Sequence, residues 1–314
     1  MYSGFMKRVF VFAAAVLLVL AVSGCVEGAG GLMGMGAEEE DEPDDVLVVR
    51  NELVEPTVRA EETFEFSFEL ANLFEFEPAT NTKAVLYDTG RCDLDDDKEQ
   101  NLDSILEGST RVVEWELDAP NNQQLGDMTG VCPLKYYVEY DFHAHTRADL
   151  YVLDDDYSRD DEVAQVSPGI RRGRGPLKID VDFGGRQPFR QGSTIPFQVT
   201  LRNVGEGDVD GEISPVDINI TIDYGDHIDE LGSDNYEDGD WEDIGTGCKQ
   251  PMEESTKGLP FIDGSTPPIS CRIYEEEYSE YFSTPISSFQ IDVDIDEYRY
   301  TLYGENSVTV EPTF

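Results

Sequence analysis

Asp141-Phe142-His143-Ala144-His145 holds two of the three histidines in a chain of 314 residues. On an extended strand alternate residues share a face, so Asp141, His143 and His145 point one way while Tyr140, Phe142 and Ala144 point the other. Histidines two apart stand about 7 Å apart along a strand, close enough for both rings to hold zinc or copper with Asp141. A solvated strand face is the plainer reading, because one strand supplies no fourth ligand. Asp93, Asp95 and Asp97 sit at positions 1, 3 and 5 of a would-be calcium loop. Lys98 then stands where the turn needs glycine, and Ser104 where it needs a bidentate Glu, so this is not an EF-hand. A looser calcium site there, or along Asp292, Asp294 and Asp296, competes with the acidity of the whole chain. No cofactor is expected, with Ca or Zn left open at these groups. No nucleophile elbow, zincin motif or phosphate loop is present, so no catalysis is expected either.

Sulfur chemistry is more informative. The chain has five cysteines, an odd number. Lys7 and Arg8 precede an apolar run from Val9 to Val22, and small residues Ser23 and Gly24 follow, which is the layout of an export signal. The run is too short to cross a hydrocarbon core, which needs about 20 helical residues. Val22-Ser23-Gly24-Cys25 resembles the lipobox of prokaryotic lipoproteins, and the resemblance implies cleavage before Cys25 and lipidation of its sulfur. Each buried methylene of such a lipid contributes about 0.8 kcal/mol, and two chains anchor stably. The start at Met1 or Met6, and export by the Sec or Tat route, stay open. The other four cysteines allow three pairings. Cys92 and Cys132 lie in the first half and Cys248 and Cys271 in the second, so pairing within each half is economical, and export favours oxidation. A four-cysteine zinc site is the rival, but no C-x-x-C spacing exists.

Twenty-two Lys and Arg stand against 67 Asp and Glu, a formal charge of −45. Hydrophobic residues at 39% still suffice for real cores, so this is no disordered polyanion. Such a charge repels nucleic acid, whose binding depends on neutralising phosphates with Lys and Arg. Self-repulsion destabilises a compact fold unless salt screens it. The composition resembles that of proteins from salt-loving archaea.

Period-two alternation sets the architecture. Phe64, Phe66, Phe68 and Leu70 alternate with polar residues, as do Ile195, Phe197, Val199 and Leu201, then Ile218, Ile220 and Ile222, then Phe289, Ile291, Val293 and Ile295. One apolar face per strand predicts antiparallel strands half buried against a second layer. The first two sets match at an offset of 131 residues, and Asn72 matches Asn203 at the same offset. Each half adds a Trp (Trp115, Trp241), a cysteine pair and a long closing strand. Two copies of one sandwich follow.

The pattern in residues 188–207, P…G-x-x-I-x-F-x-V-x-L-x-N-x-G-x-G, resembles CARDB-like domains, an immunoglobulin-like family of prokaryotic surface proteins. Leu73-Phe74-Glu75 replaces the Val-Gly-Glu that follows the asparagine, so the first half departs from the pattern. The resemblance implies antiparallel β-sandwiches serving adhesion, scaffolding or spacing, without a particular ligand.

The expected layout is a signal peptide at 1–24, a flexible acidic tether at 25–45, Ig-like sandwiches at 46–166 and 177–314, and a Pro/Gly/Arg linker at 167–176. Asn219-Ile220-Thr221 is an N-glycosylation sequon on an outward strand face. These features point to a non-enzymatic protein held on the extracellular face of the cell membrane by its lipid. It would act in adhesion or as a subunit of an envelope assembly, with a protein or glycan partner and no nucleic acid. The alternative is a surface module that binds glycan or a divalent metal.

Overall fold

In a computed structural model the protein is almost entirely β. The structure describes residues 45–74, 77–95, 97–126, 128–154, 166–210, 213, 217–223, 228–230, 247–249, 258–273 and 286–313. Cys25, the leader, nearly all of the tether and Trp241 lie outside the described residues.

The first repeat contributes β1 (Leu47–Val54), β2 (Thr57–Arg59), β3 (Thr63–Asn72), β4 (Ala79–Asp88) and β5 (Asp93–Leu94). It continues with β6 (Glu99–Ile105), β7 (Thr110–Asp118), a four-residue helix α1 (Asn122–Leu125) and β8 (Gly130–Leu153). The second contributes β9 (Ile170–Arg172), β10 (Leu177–Asp182), β11 (Phe189–Arg190), β12 (Ile195–Asn203) and β13 (Asp208–Asp210). Then come β14 (Ile218–Asp223), β15 (Ile228–Glu230), β16 (Gly247–Lys249), β17 (Ile269–Ile273) and β18 (Ile286–Glu311).

Two four-stranded sheets, β1-β3-β7-β5 and β10-β12-β17-β16, are corresponding halves of the repeat. The third sheet has ten strands, and its main path runs β15-β14-β18-β8-β4-β6. That order has a pseudo-two-fold centre. The closing strands β8 and β18, 24 and 26 residues long, lie antiparallel at the middle and pair from Gly130 with Val310 to Leu153 with Ile286. Each is far longer than one sandwich requires, since globular strands run about 3–10 residues. Each therefore leaves its own repeat. The end of β18 pairs in parallel with β2 of the first repeat, and the end of β8 pairs in parallel with β11 of the second.

Both small sheets cover the same face of the long one. Even-numbered residues of β8 from Cys132 to Val152 are buried, and β18 keeps register by a bulge between Ile295 and Tyr298 that shifts its buried set from odd to even positions. Over the first repeat, Tyr136 of β8 stacks on Phe68 with ring centres 4.5 Å apart and meets Phe66, which stacks on Trp115. Over the second, the Thr146 hydroxyl donates to the Ile179 carbonyl at 2.7 Å. Near the centre Phe142 faces Phe74 and Tyr298. One continuous apolar core runs through both repeats, and residues 42–314 form one compact unit. Residues 167–176, expected as a linker, include β9, which pairs with β8 along residues 146–148.

The asparagines at the 131-residue offset do the same work. Asn72 accepts from the Phe74 amide at 2.9 Å and donates to the Glu77 and Ile105 carbonyls. Asn203 accepts from the Gly205 amide at 3.1 Å and donates to the Gly207 carbonyl at 2.8 Å. Each side chain satisfies backbone groups where a strand leaves its sheet. In the second repeat the Tyr300 hydroxyl accepts from the Gly207 amide, and a Cβ on Gly205 or Gly207 would collide with Tyr300 or the Thr301 carbonyl. The glycines of N-x-G-x-G are therefore steric necessities around a tyrosine of the closing strand. At the same offset Phe74 stands in the place of Gly205.

Both disulfides close as expected, Cys92 with Cys132 and Cys248 with Cys271. They differ in role. Cys92 precedes β5 of a small sheet while Cys132 lies on β8, so that bridge ties two layers. Cys248 and Cys271 face each other on neighbouring strands of one sheet.

Candidate functional site

The second face of the ten-stranded sheet carries no further layer among the described residues. Its side chains come from odd positions of β8 and from their neighbours on β4 and β18. The pleat puts them there: with even positions committed to the core, every odd one must point outward.

Charges on this face are matched across strands. Lys83 meets Glu139 at 2.9 Å and Glu99 at 3.9 Å, and the hydrogen bond to Glu139 lifts Lys83 above its ordinary pKa. Lys135 meets Asp88 at 3.7 Å. Arg147 grips Asp292 through Nε and Nη2 at 2.6 and 3.0 Å. Opposite charges placed directly across an antiparallel pair contribute about 0.2–1 kcal/mol each.

Asp141, His143 and His145 do share this face, with different partners. Asp141 is buried, receiving Arg299 Nε at 2.9 Å and Asn81 Nδ2 at 2.8 Å. Burial alone would raise its pKa, but Arg299 and Asn81 outweigh burial and hold the carboxyl below its ordinary range. His143 Nε2 lies 3.1 Å from Glu77 Oε1, and the His143 and His145 rings stack with centres 6.1 Å apart. His145 pairs across the sheet with Asp294, whose carboxyl is raised by burial and by Asp292. Among the described residues no group of three or more His, Cys, Asp or Glu is disposed to hold a metal ion. Asp93, Asp95 and Asp97 are exposed at β5 and the turn after it, and Asp292 is committed to Arg147. Asn219 is exposed on β14, opposite Asp294. Of the arginine cluster, Arg172 binds Asp180 at 2.8 Å and Arg171 pairs across from Arg147.

An aromatic stripe is the feature that the sequence did not suggest. Tyr87 of β4, Tyr137 of β8 and Tyr303 of β18 lie side by side, with ring centres 5.8 and 6.3 Å apart. Tyr87 is 48% exposed and Tyr303 62%. With Glu139 and Thr301 they line a shallow recess of about 510 Å³. Thr301 is buried, and its Oγ1 makes no hydrogen bond. The signal lay in the polar half of the alternation, where Tyr137 and Tyr303 read as ordinary outward positions.

A cleft of about 520 Å³ opens on the other side, lined by Asp45, Glu52, Tyr136, Arg174, Glu206 and Gly304 among others. Tyr136 donates to Glu52 there, and a Cβ on Gly304 would strike the Tyr136 ring. Burial, then Glu52, raises the Tyr136 pKa far above the ordinary range, so the phenol stays protonated. Gly304 thus keeps the closing strand close to the first repeat. No family model matches the chain, and no curated protein matches it significantly.

Proposed function

We propose that this chain is a non-enzymatic lipoprotein of the cell surface that binds an envelope component through the uncovered face of its long sheet. One observation carries the reading: among the described residues the ten-stranded sheet is covered on one side only, and its other side carries cross-strand ion pairs and an aromatic stripe. The leader and Cys25 supply the anchor, and residues 25–45 the spacing from the membrane. An Ig-like, CARDB-like descent for the two repeats is supported by residues 188–207 and by the shared asparagine turn. Lys83, Lys135, Arg147 and Arg299 on this face are each tied to a carboxylate, an arrangement suited to a stiff recognition surface more than to proton transfer. The acidity suits a saline exterior.

Two measurements test this reading. Cys25→Ser expressed in the producing cells should lose the mass of the lipid and move from the membrane fraction to the medium. The purified Cys25→Ser chain, in molar salt, should then sediment with envelope fragments of those cells. A variant that stays membrane-bound at unchanged mass contradicts the anchor. Failure to sediment with the fragments contradicts the binding role.

A further inference from the structure

We infer that Tyr87, Tyr137 and Tyr303, with Thr301 and Glu139, form a stacking subsite for a neutral hexopyranose oligomer. The inference rests on the surface-binding reading above and names the ligand class.

Tyrosine presents an apolar ring face and a polar tip, and three such rings in line on adjacent strands, with neighbouring planes inclined at 34° and 57°, make an open, stepped platform and not an enclosure. A pyranose has the complementary anatomy, with a face of C–H groups and a rim of hydroxyls. Two successive gaps of about 6 Å give the stripe the length of a disaccharide or more. Tyr137 and Tyr303 are direct cross-strand neighbours where the two closing strands pair, so the platform depends on the seam between the repeats.

Charge decides among ligands that could use the rings. In a chain of net charge −45, Glu139 is the one charged residue among the described residues that line the recess, and Lys83 matches it at 2.9 Å. An anionic polymer meets no spare cation here and is repelled by the rest of the surface. Nucleobases could stack, but their phosphates exclude them on the same ground. A quaternary ammonium is best held by rings that surround it, and these rings lie side by side. Hydroxyl-rich neutral ligands remain. The Glu139 carboxylate can accept from a sugar hydroxyl while keeping Lys83. Thr301 lines the same recess, and its hydroxyl makes no hydrogen bond within the protein, so it can both donate and accept. Polar groups of this kind fix orientation in otherwise aromatic sites.

The test uses the full Cys25→Ser chain in molar salt, with cellohexaose, chitohexaose and mannohexaose as probes in titration calorimetry. At least one should bind. Tyr137→Ala and Tyr303→Ala should each weaken it about tenfold, the value of one lost stacking contact, while Tyr303→Phe stays within about twofold because the ring remains. Thr301→Val, nearly isosteric, should weaken it several-fold. Absence of binding by all three sugars, or equal binding by the Tyr137→Ala/Tyr303→Ala double variant with both disulfides intact, overturns the inference. Tetramethylammonium binding without sugar binding overturns it too. Envelope fragments separate the two readings. Sedimentation lost after anhydrous trifluoromethanesulfonic acid, which cleaves glycosidic bonds and spares peptide bonds, supports a sugar ligand. Sedimentation that survives this treatment but is lost after protease treatment of the fragments leaves the surface role standing and overturns the sugar.

Discussion

Replacing Trp115 with alanine will loosen both repeats, although the indole belongs to the first. Trp115 is fully buried, stacked on Phe66 at 5.9 Å and tilted against Phe68 at 5.7 Å. Removing it leaves a cavity in a close-packed layer, at a cost of about 3–5 kcal/mol. In a pair of independent domains that loss would stay where it was made. Here the sheet beneath Phe66 and Phe68 is built on β8 and β18, and both strands continue under the second repeat. Hydrogen exchange followed by mass spectrometry reads the outcome directly, because protection reports cooperative units. Protection should fall in peptides covering 64–70 and in those covering 195–201 alike. A fall confined to the first set would show that the repeats open separately.

Lowering the salt should have a comparably large effect. Sixty-seven carboxylates face 22 cationic side chains. Six of the cations are committed already: Lys83, Lys135, Arg147, Arg172, Arg202 and Arg299 each sit on a carboxylate. Even if every cation paired, the excess of acidic over basic side chains would leave a net charge of −45 repelling itself. At molar salt the screening length is about 3 Å, and at 0.01 M it is about 30 Å, comparable to the molecule itself. Repulsion restored at low salt would cost on the order of 5 kcal/mol, lowering Tm by roughly 10–20 °C. Calorimetry in potassium chloride from 2 M to 50 mM checks this. An unchanged Tm across that range would separate the acidity from stability altogether.

Much of the fold was legible because burial imposes period two wherever one face of a strand is covered. β3, β12, β14 and the first part of β18 were visible in this way, and the 131-residue offset aligned β3 with β12. Asn72 and Asn203 were aligned from sequence, and the structure gives the alignment a cause in their matching hydrogen bonds. The cysteine pairing was legible from placement alone. What alternation does not encode is the neighbour across the hydrogen-bonding edge. Nothing in Tyr136, Val138 or Tyr140 says that the next strand over comes from the other repeat. The clue was length, since a strand of 24 residues overruns any single sandwich. The parity switch between Ile295 and Tyr298 marked the bulge that lets β18 stay in register. The tyrosine stripe escaped for a related reason. Its members come from three strands far apart in sequence, and each taken singly is an ordinary exposed tyrosine. His143 and His145 drew attention because they are adjacent in sequence. On the sheet they answer to Glu77 and Asp294 instead.

The repeats form one body because each sends its last strand through the other, and cutting the chain between them tests this most directly. A protease site placed between Asp154 and Val166, cleaved after folding in molar salt, separates the repeats covalently, since neither disulfide crosses the cut. The two pieces should elute together from size-exclusion chromatography, at the volume of the uncut protein and with protection unchanged along β8 and β18. Two smaller folded species, eluting apart without denaturant, would show that each repeat closes its own sandwich and that the shared sheet is not what holds the molecule together.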